Sequence, residues 1–188
     1  NRGTVSGLVF LDENYNDIFD PDEKPLGLID ITLRQTMFGL SSNHKGYFII
    51  QNLNPGIYYL NITTSRYPLD YVVSDTYNSK FTISPDQLTE VQVPIHRLGV
   101  IKGQVYRDSN KNQQMDIEDE KIDGASLRLY PVSERNPLSS SGFAGQYSFS
   151  GLKPGKYTIK ANYLEFKGDC QVEVSFNNIN PICNILVE

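Results

Sequence analysis

Two stretches decide the fold: GTVSGLVFLDENYN, from Gly3 to Asn16, and GVIKGQVYRDSNKN, from Gly99 to Asn112. Each opens with small or apolar residues at every second position (Val5, Gly7, Val9; Ile101, Gly103, Val105) and closes in a run of acids and amides. Alternation of this kind predicts a strand with one buried face, followed by a polar loop. A second matching pair lies further on: GYFIIQNLNPGIYYL from Gly46 and GQYSFSGLKPGKYTI from Gly145. Between them, IDITL from Ile29 corresponds to ASLRL from Ala125. The chain therefore reads as two copies of one unit, 1–98 and 99–188, with no Gly/Ser-rich or Pro-rich linker at the join. Strand following strand directly favours a stiff rod over loosely strung beads.

Further period-two segments follow in each copy: Tyr58, Leu60 and Ile62 in the first, Tyr157, Ile159 and Ala161 in the second. Short alternating strands separated by NPG and KPG turns predict an all-β protein, two tandem Ig-like or prealbumin-like antiparallel β-sandwiches. Helix is scarce, with at most a turn or two between Pro85 and Glu90.

The 188 residues are 39% hydrophobic and 11% aromatic, which suits two folded cores and excludes a disordered tail. No apolar run is long enough for a membrane span, and the N-terminal residues lack a signal-peptide pattern. A chain that starts at Asn1, already inside a strand-like segment, reads as part of something longer. The net charge of −5 is concentrated in two places. Asp12 to Glu23 holds six carboxylates and no base, and Asp108 to Asp119 holds four with one lysine. The remainder is slightly basic but has no Lys/Arg stripe, so nucleic acid is a poor partner.

The two acidic runs have a common spacing. Asp12, Asn14, Asn16, Asp20 and Glu23 occupy positions 1, 3, 5, 9 and 12 of an EF-hand-type calcium loop. Asp108, Asn110, Asn112, Asp116 and Asp119 occupy the same positions in the second copy, while Ile18 and Gln114 stand where a backbone carbonyl completes the set. Calcium takes six to eight hard oxygens at about 2.3–2.6 Å, and a loop of alternating oxygen ligands wraps one ion. One such loop is as easily a solvated turn; two at matching places point to Ca2+.

With these motifs in hand, the unit resembles the B-type repeats of bacterial surface adhesins, the serine-aspartate-repeat and Cna B-like group. The resemblance rests on Val9-Phe10-Leu11-Asp12 and Val105-Tyr106-Arg107-Asp108, on the calcium loops, and on the LxPGxY turns at Leu53–Tyr58 and Leu152–Tyr157. It implies a prealbumin-type sandwich used as a calcium-stabilised stalk. Two departures stand out. Asp17 and Gln113 occupy loop position 6, where the group has Gly, and Asp119 is one methylene shorter than Glu23, so that Glu118 or Glu120 could substitute for it. Site two is expected to be the weaker.

Cys170 and Cys183 are the only cysteines and could be buried thiols or a disulfide; the oxidising compartment of a calcium stalk favours the disulfide. Their presence also hints at a periplasmic or outer-membrane setting. The Lys–Asn isopeptide bond of related domains is not expected, because Lys102 corresponds to Ser6 in the first copy and neither PGxY turn carries the customary acid. Lys102 is expected to face solvent. His44 and His96 have no neighbours at triad or zinc spacing and are expected to be exposed spectators. Asn61-Ile62-Thr63 matches a glycosylation sequon that is common by chance, and Tyr58 and Tyr157 belong to the core.

The sequence thus points to a non-enzymatic stalk or spacer of a secreted or surface protein, holding an adhesive or assembly domain. Its partners would be neighbouring domains of the same longer chain and possibly a host or pilus protein. Two alternatives use the same fold: an adhesion module binding through Thr64–Asp86, with Tyr67, Tyr71 and Tyr77, or a periplasmic or outer-membrane domain pair of a pilus-assembly, usher-like protein.

Overall fold

The alternating residues of Gly3–Leu11 form strand β1, with Val5 and Val9 buried and Thr4, Ser6 and Leu8 half-buried. The computed structural model describes residues 1–36, 38–131 and 139–188. Within them the regular structure is strand, apart from one 3-10 turn at Phe143–Gly145. The chain divides into two compact units, Asn1–Arg97 and Leu98–Glu188, each built from two sheets.

In the first unit β1 is followed by β2 (Lys24–Pro25), β3 (Asp30–Leu33), β4 (Gly39–Ser41), β5 (Tyr47–Leu53) and β6 (Gly56–Thr63). Then come β7 (Tyr71–Val73), β8 (Lys80–Ile83) and β9 (Leu88–Arg97). One sheet runs β2-β1-β9-β7, with β5 also on β1; the other runs β4-β3-β6-β8. β9 lies parallel to β1, from Thr4↔Leu88 to Leu11↔Ile95. First and last strands therefore end at the same pole, which places the residue after β1, Asp12, beside the end of β9. Pro85 and Asp86 make only a turn before β9 begins.

The second unit repeats the plan with β10 (Gly99–Arg107), β11 (Glu120–Lys121), β12 (Ser126–Tyr130) and β13 (Ser139–Ser140). It is completed by β14 (Gln146–Leu152), β15 (Gly155–Tyr163), β16 (Phe166–Val174) and β17 (Ile185–Leu186). β11, β14 and β17 flank β10, and the other sheet runs β13-β12-β15-β16. Here the closing parallel strand is short, pairing only Val105↔Ile185 and Tyr106↔Leu186 beyond an isolated bridge at Lys102↔Ile182. A disulfide from Cys170 in β16 to Cys183 fastens this irregular segment across the sandwich, with the Cα atoms 6.0 Å apart.

The repeated motifs have physical causes. Gly46 and Gly145 sit at φ of +77° and +68°, and a Cβ on either would lie 2.4 Å from the carbonyl oxygen of Val9 or Val105. The tyrosines of the PGxY turns close their own corners: Tyr58 O–H donates to Asn54 O at 3.0 Å and Tyr157 O–H to Lys153 O at 2.8 Å. Tyr58 is buried as expected, and Lys102 is exposed as expected. Each core is the inward face of its two sheets, with Val9, Ile31 and Leu60 buried in the first and Ile101, Leu127 and Ile159 in the second, while Phe10 on the other face of β1 packs against Phe19 of the loop.

Candidate metal centre

Both acidic runs fold as loops of the same shape. Asp12 leaves β1 with its amide donating to Ile95 O at 2.9 Å, and its side chain then gathers the loop backbone. Its Oδ1 accepts the amides of Tyr15 (2.7 Å) and Asn16 (3.2 Å), and Oδ2 that of Asp17 (2.8 Å). Asn14 Oδ1 accepts the Asn16 amide and Asn16 Oδ1 the Ile18 amide, so both side chains turn inward. Their Nδ2 groups meet Asp20 Oδ2 at 2.7 and 3.0 Å. Glu23 closes the loop, Oε1 accepting the amide of Glu13 (2.9 Å) and Oε2 that of Asp20 (3.0 Å).

The second loop repeats this almost bond for bond. Asp108 accepts the amides of Asn112 (3.2 Å) and Gln113 (2.6 Å), and Asn112 Oδ1 that of Gln114 (2.7 Å). Asn110 and Asn112 meet Asp116 Oδ2 at 3.0 and 2.7 Å. Asp119, for all its shorter side chain, takes the two equivalent amides, of Ser109 (3.1 Å) and Asp116 (2.8 Å). Glu118 approaches as well, accepting from Asn110 at 3.2 Å. Position 6 is left-handed in both loops, φ +62° at Asp17 and +61° at Gln113, the conformation for which Gly is the usual residue.

The expected ligand residues of each copy thus share one hydrogen-bonded loop, and side-chain oxygens are the donors that calcium takes. Asp12, Asn14, Asn16, Asp20 and Glu23 bring hard oxygens to one loop, as do Asp108, Asn110, Asn112, Asp116 and Asp119. Burial pushes the Glu23 carboxyl above its usual 4.5; amide hydrogen bonds offset part of this, and repulsion from Asp12 and Asp20 adds to it. Hydrogen bonds from Asn110 and Asn112 hold the exposed Asp116 carboxyl below its usual value.

One expectation fails. His96 is not an exposed spectator: it is 3% exposed, with Nε2 3.0 Å from Asp12 Oδ2 and 3.4 Å from Asp17 Oδ1. The parallel pairing of β1 and β9 carries it there from 84 residues away. The ring of Tyr15 packs on its imidazole at 4.2 Å, and the Tyr15 hydroxyl donates to Arg97 O. His44, by contrast, is exposed.

The segment following β6 packs against β9 and the first loop. β7 adds to β9, and beyond it Thr76 donates its hydroxyl to Asp17 Oδ2, with Ser74 Oγ 2.9 Å from Thr76 Oγ1. Burial raises the Asp17 carboxyl, but these hydroxyls and His96 outweigh it and hold the group below its usual 3.8. Tyr67 and Tyr71 pack ring to ring at 5.1 Å, Tyr67 O–H donates to Gly27 O, and burial pushes the Tyr77 hydroxyl up to about 12. All three tyrosines are half-buried.

No protein-family profile matches the chain. Among curated proteins it is 25% identical to serine-aspartate repeat-containing protein F of Staphylococcus epidermidis over 187 aligned positions, which cover 84% of this chain. The chain is similar to a serine-aspartate-repeat protein. The resemblance carried by its strand, loop and PGxY motifs is thereby borne out. It spans 10% of that relative's length. Among solved structures it is similar to the Streptococcal ancillary pilin (TM-score 0.45, 14% identity, all of this chain and 62% of that one). It is also similar to the Bacillus anthracis TIE protein (TM-score 0.43, 14% identity, 99% of this chain and 34% of that one). Likenesses at this level carry no functional argument.

Proposed function

We propose that the chain is a pair of calcium-stabilised spacer repeats from a longer bacterial surface protein, lying outside the cell and holding a neighbouring domain in place. The observation that supports this most is the duplicated loop. In both copies the position 3, 5 and 9 side chains meet one another, and position 12 takes the same two amides. When bound, calcium supplies the positive charge that lets clustered carboxylates sit together. The chain's own residues then do the mechanical work. Asp12, Asn14 and Asn16 bend the loop by accepting its amides. Asp12 N–H and Tyr15 O–H tie loop one to Ile95 and Arg97, the closing residues of β9. Ordering that loop therefore orders the strand by which the chain leaves the first unit. The partners would be neighbouring domains of the same chain, possibly with a host or pilus protein bound elsewhere on it. Small-angle scattering of the full chain tests the spacer role: calcium should narrow the distribution of interatomic distances, and identical curves with calcium and with chelator would remove it.

A further inference from the structure

Asp12 Oδ2, besides accepting the loop amide of Asp17, takes part in a second convergence with His96 of β9. We propose that Asp12 Oδ2, Asp17 Oδ1 and His96 Nε2 in the first unit form a separate site for a transition-type divalent cation of the zinc class. The three ligand atoms lie within 4.8 Å of one another, with Nε2 3.0 and 3.4 Å from the two carboxylate oxygens. Metal bonds of about 2.0 Å in a tetrahedron put ligand atoms about 3.3 Å apart, so the two imidazole–carboxylate distances match edges of such a shell. One imidazole with two carboxylates is a donor set for zinc, cobalt or manganese; calcium takes oxygen alone.

A second feature points to a missing ligand. Asp17 Oδ1 is sealed from solvent and accepts no well-directed hydrogen bond, its nearest polar neighbour being His96 Nε2 at 3.4 Å. A buried carboxylate oxygen left so is costly unless a cation meets it. The shell around the three groups is already fixed, as metal sites require. Thr76 holds the other oxygen of Asp17, the Asp17 amide holds Asp12 Oδ2, and the Tyr15 ring lies on His96.

The second unit provides an internal control. Gln113 replaces Asp17, and extending the β10/β17 register past Tyr106↔Leu186 puts Glu188 where His96 stands. It keeps the calcium-type loop but has no imidazole at this place, and an amide stands where Asp17 offers its carboxylate.

The test is calorimetric titration of zinc chloride into the full chain with calcium saturating, paired with cobalt(II) absorption to read coordination. The wild type should take up one zinc and give the intense visible bands of low-coordinate cobalt. His96→Gln and Asp17→Asn should each weaken zinc by about tenfold or more, while Glu23→Gln, which damages the calcium loop, should leave zinc binding in place. Metal-free melting curves show which variants fold, and Asp17→Asn carries the test if His96→Gln does not. No zinc uptake by the wild type would overturn the site and leave His96 as a hydrogen-bonded bridge. Wild-type affinity in both variants would overturn it in favour of a surface site such as His44. Loss of zinc in Glu23→Gln alone would mean zinc had merely entered the calcium loop. Because calcium is measured separately, failure of the zinc site and failure of the calcium loops give different results.

Discussion

Glu23 is a buried carboxylate whose oxygens already hold two amides, and it needs a cation before it can be charged comfortably. Its folded pKa lies above 4.5, so the metal-free fold binds that proton more tightly than the unfolded chain does. The resulting stability is present below the unfolded value and is lost as pH rises through the folded one. Calcium needs the ionised form. The rise in melting temperature caused by calcium should therefore grow with pH just above 4.5, and Glu23→Gln should flatten that dependence. A calcium effect in the wild type independent of pH from 4 to 7 would contradict the role given to Glu23. Asp17 has the opposite sign: its folded pKa is lowered, so its contribution is present above 3.8 and lost as pH falls through the folded value. Asp12 and Glu23 were legible in the sequence because both belong to one local spacing. His96 was not, because only strand pairing across 84 residues makes it a neighbour of Asp12.

At the scale of elements, the two units close differently. β9 is held to β1 along eight residue pairs, whereas β17 has two, and Pro181 precedes it. The disulfide compensates in the second unit. Replacing Cys170 and Cys183 together by Ala should cost that unit about 2–4 kcal/mol and leave the first unit's transition in place; calorimetry with two resolved transitions reads both, and an unchanged second transition would refute the claim. The PGxY corner is a smaller device: Tyr58→Phe should cost about 1 kcal/mol by deleting the bond to Asn54 O, measured by denaturant unfolding. The strands, the turns and the repeat were legible because period-two alternation and Gly/Pro punctuation are local. The paired serines were not. Ser42 Oγ accepts from Ile29 N–H and donates to Leu26 O, and Ser141 does the same between Ala125 and Ile122. A lone buried serine leaves no pattern to read, although the two copies, once aligned, do match.

For the whole molecule, duplication makes each unit a control for the other. Loop one has six carboxylates in its span against four in loop two, which also carries Lys111. Asp119 takes the same amides as Glu23, so the expected inequality rests on charge and on the shorter carboxylate's reach toward an ion. Titration with calcium should show two classes of site, with Asp12→Ala removing the tighter; equal classes would contradict that ordering. The central claim is that calcium bound in these loops stabilises both units, and the most direct measurement is thermal unfolding of the full chain, first stripped of metal and verified so by elemental analysis, then with calcium added. Ligand binding to the folded state alone must raise the melting temperature by mass action. The account predicts an upward shift of both transitions, with Asp12→Ala abolishing the shift of the first and Asp108→Ala that of the second. Melting curves that coincide with and without calcium would contradict it.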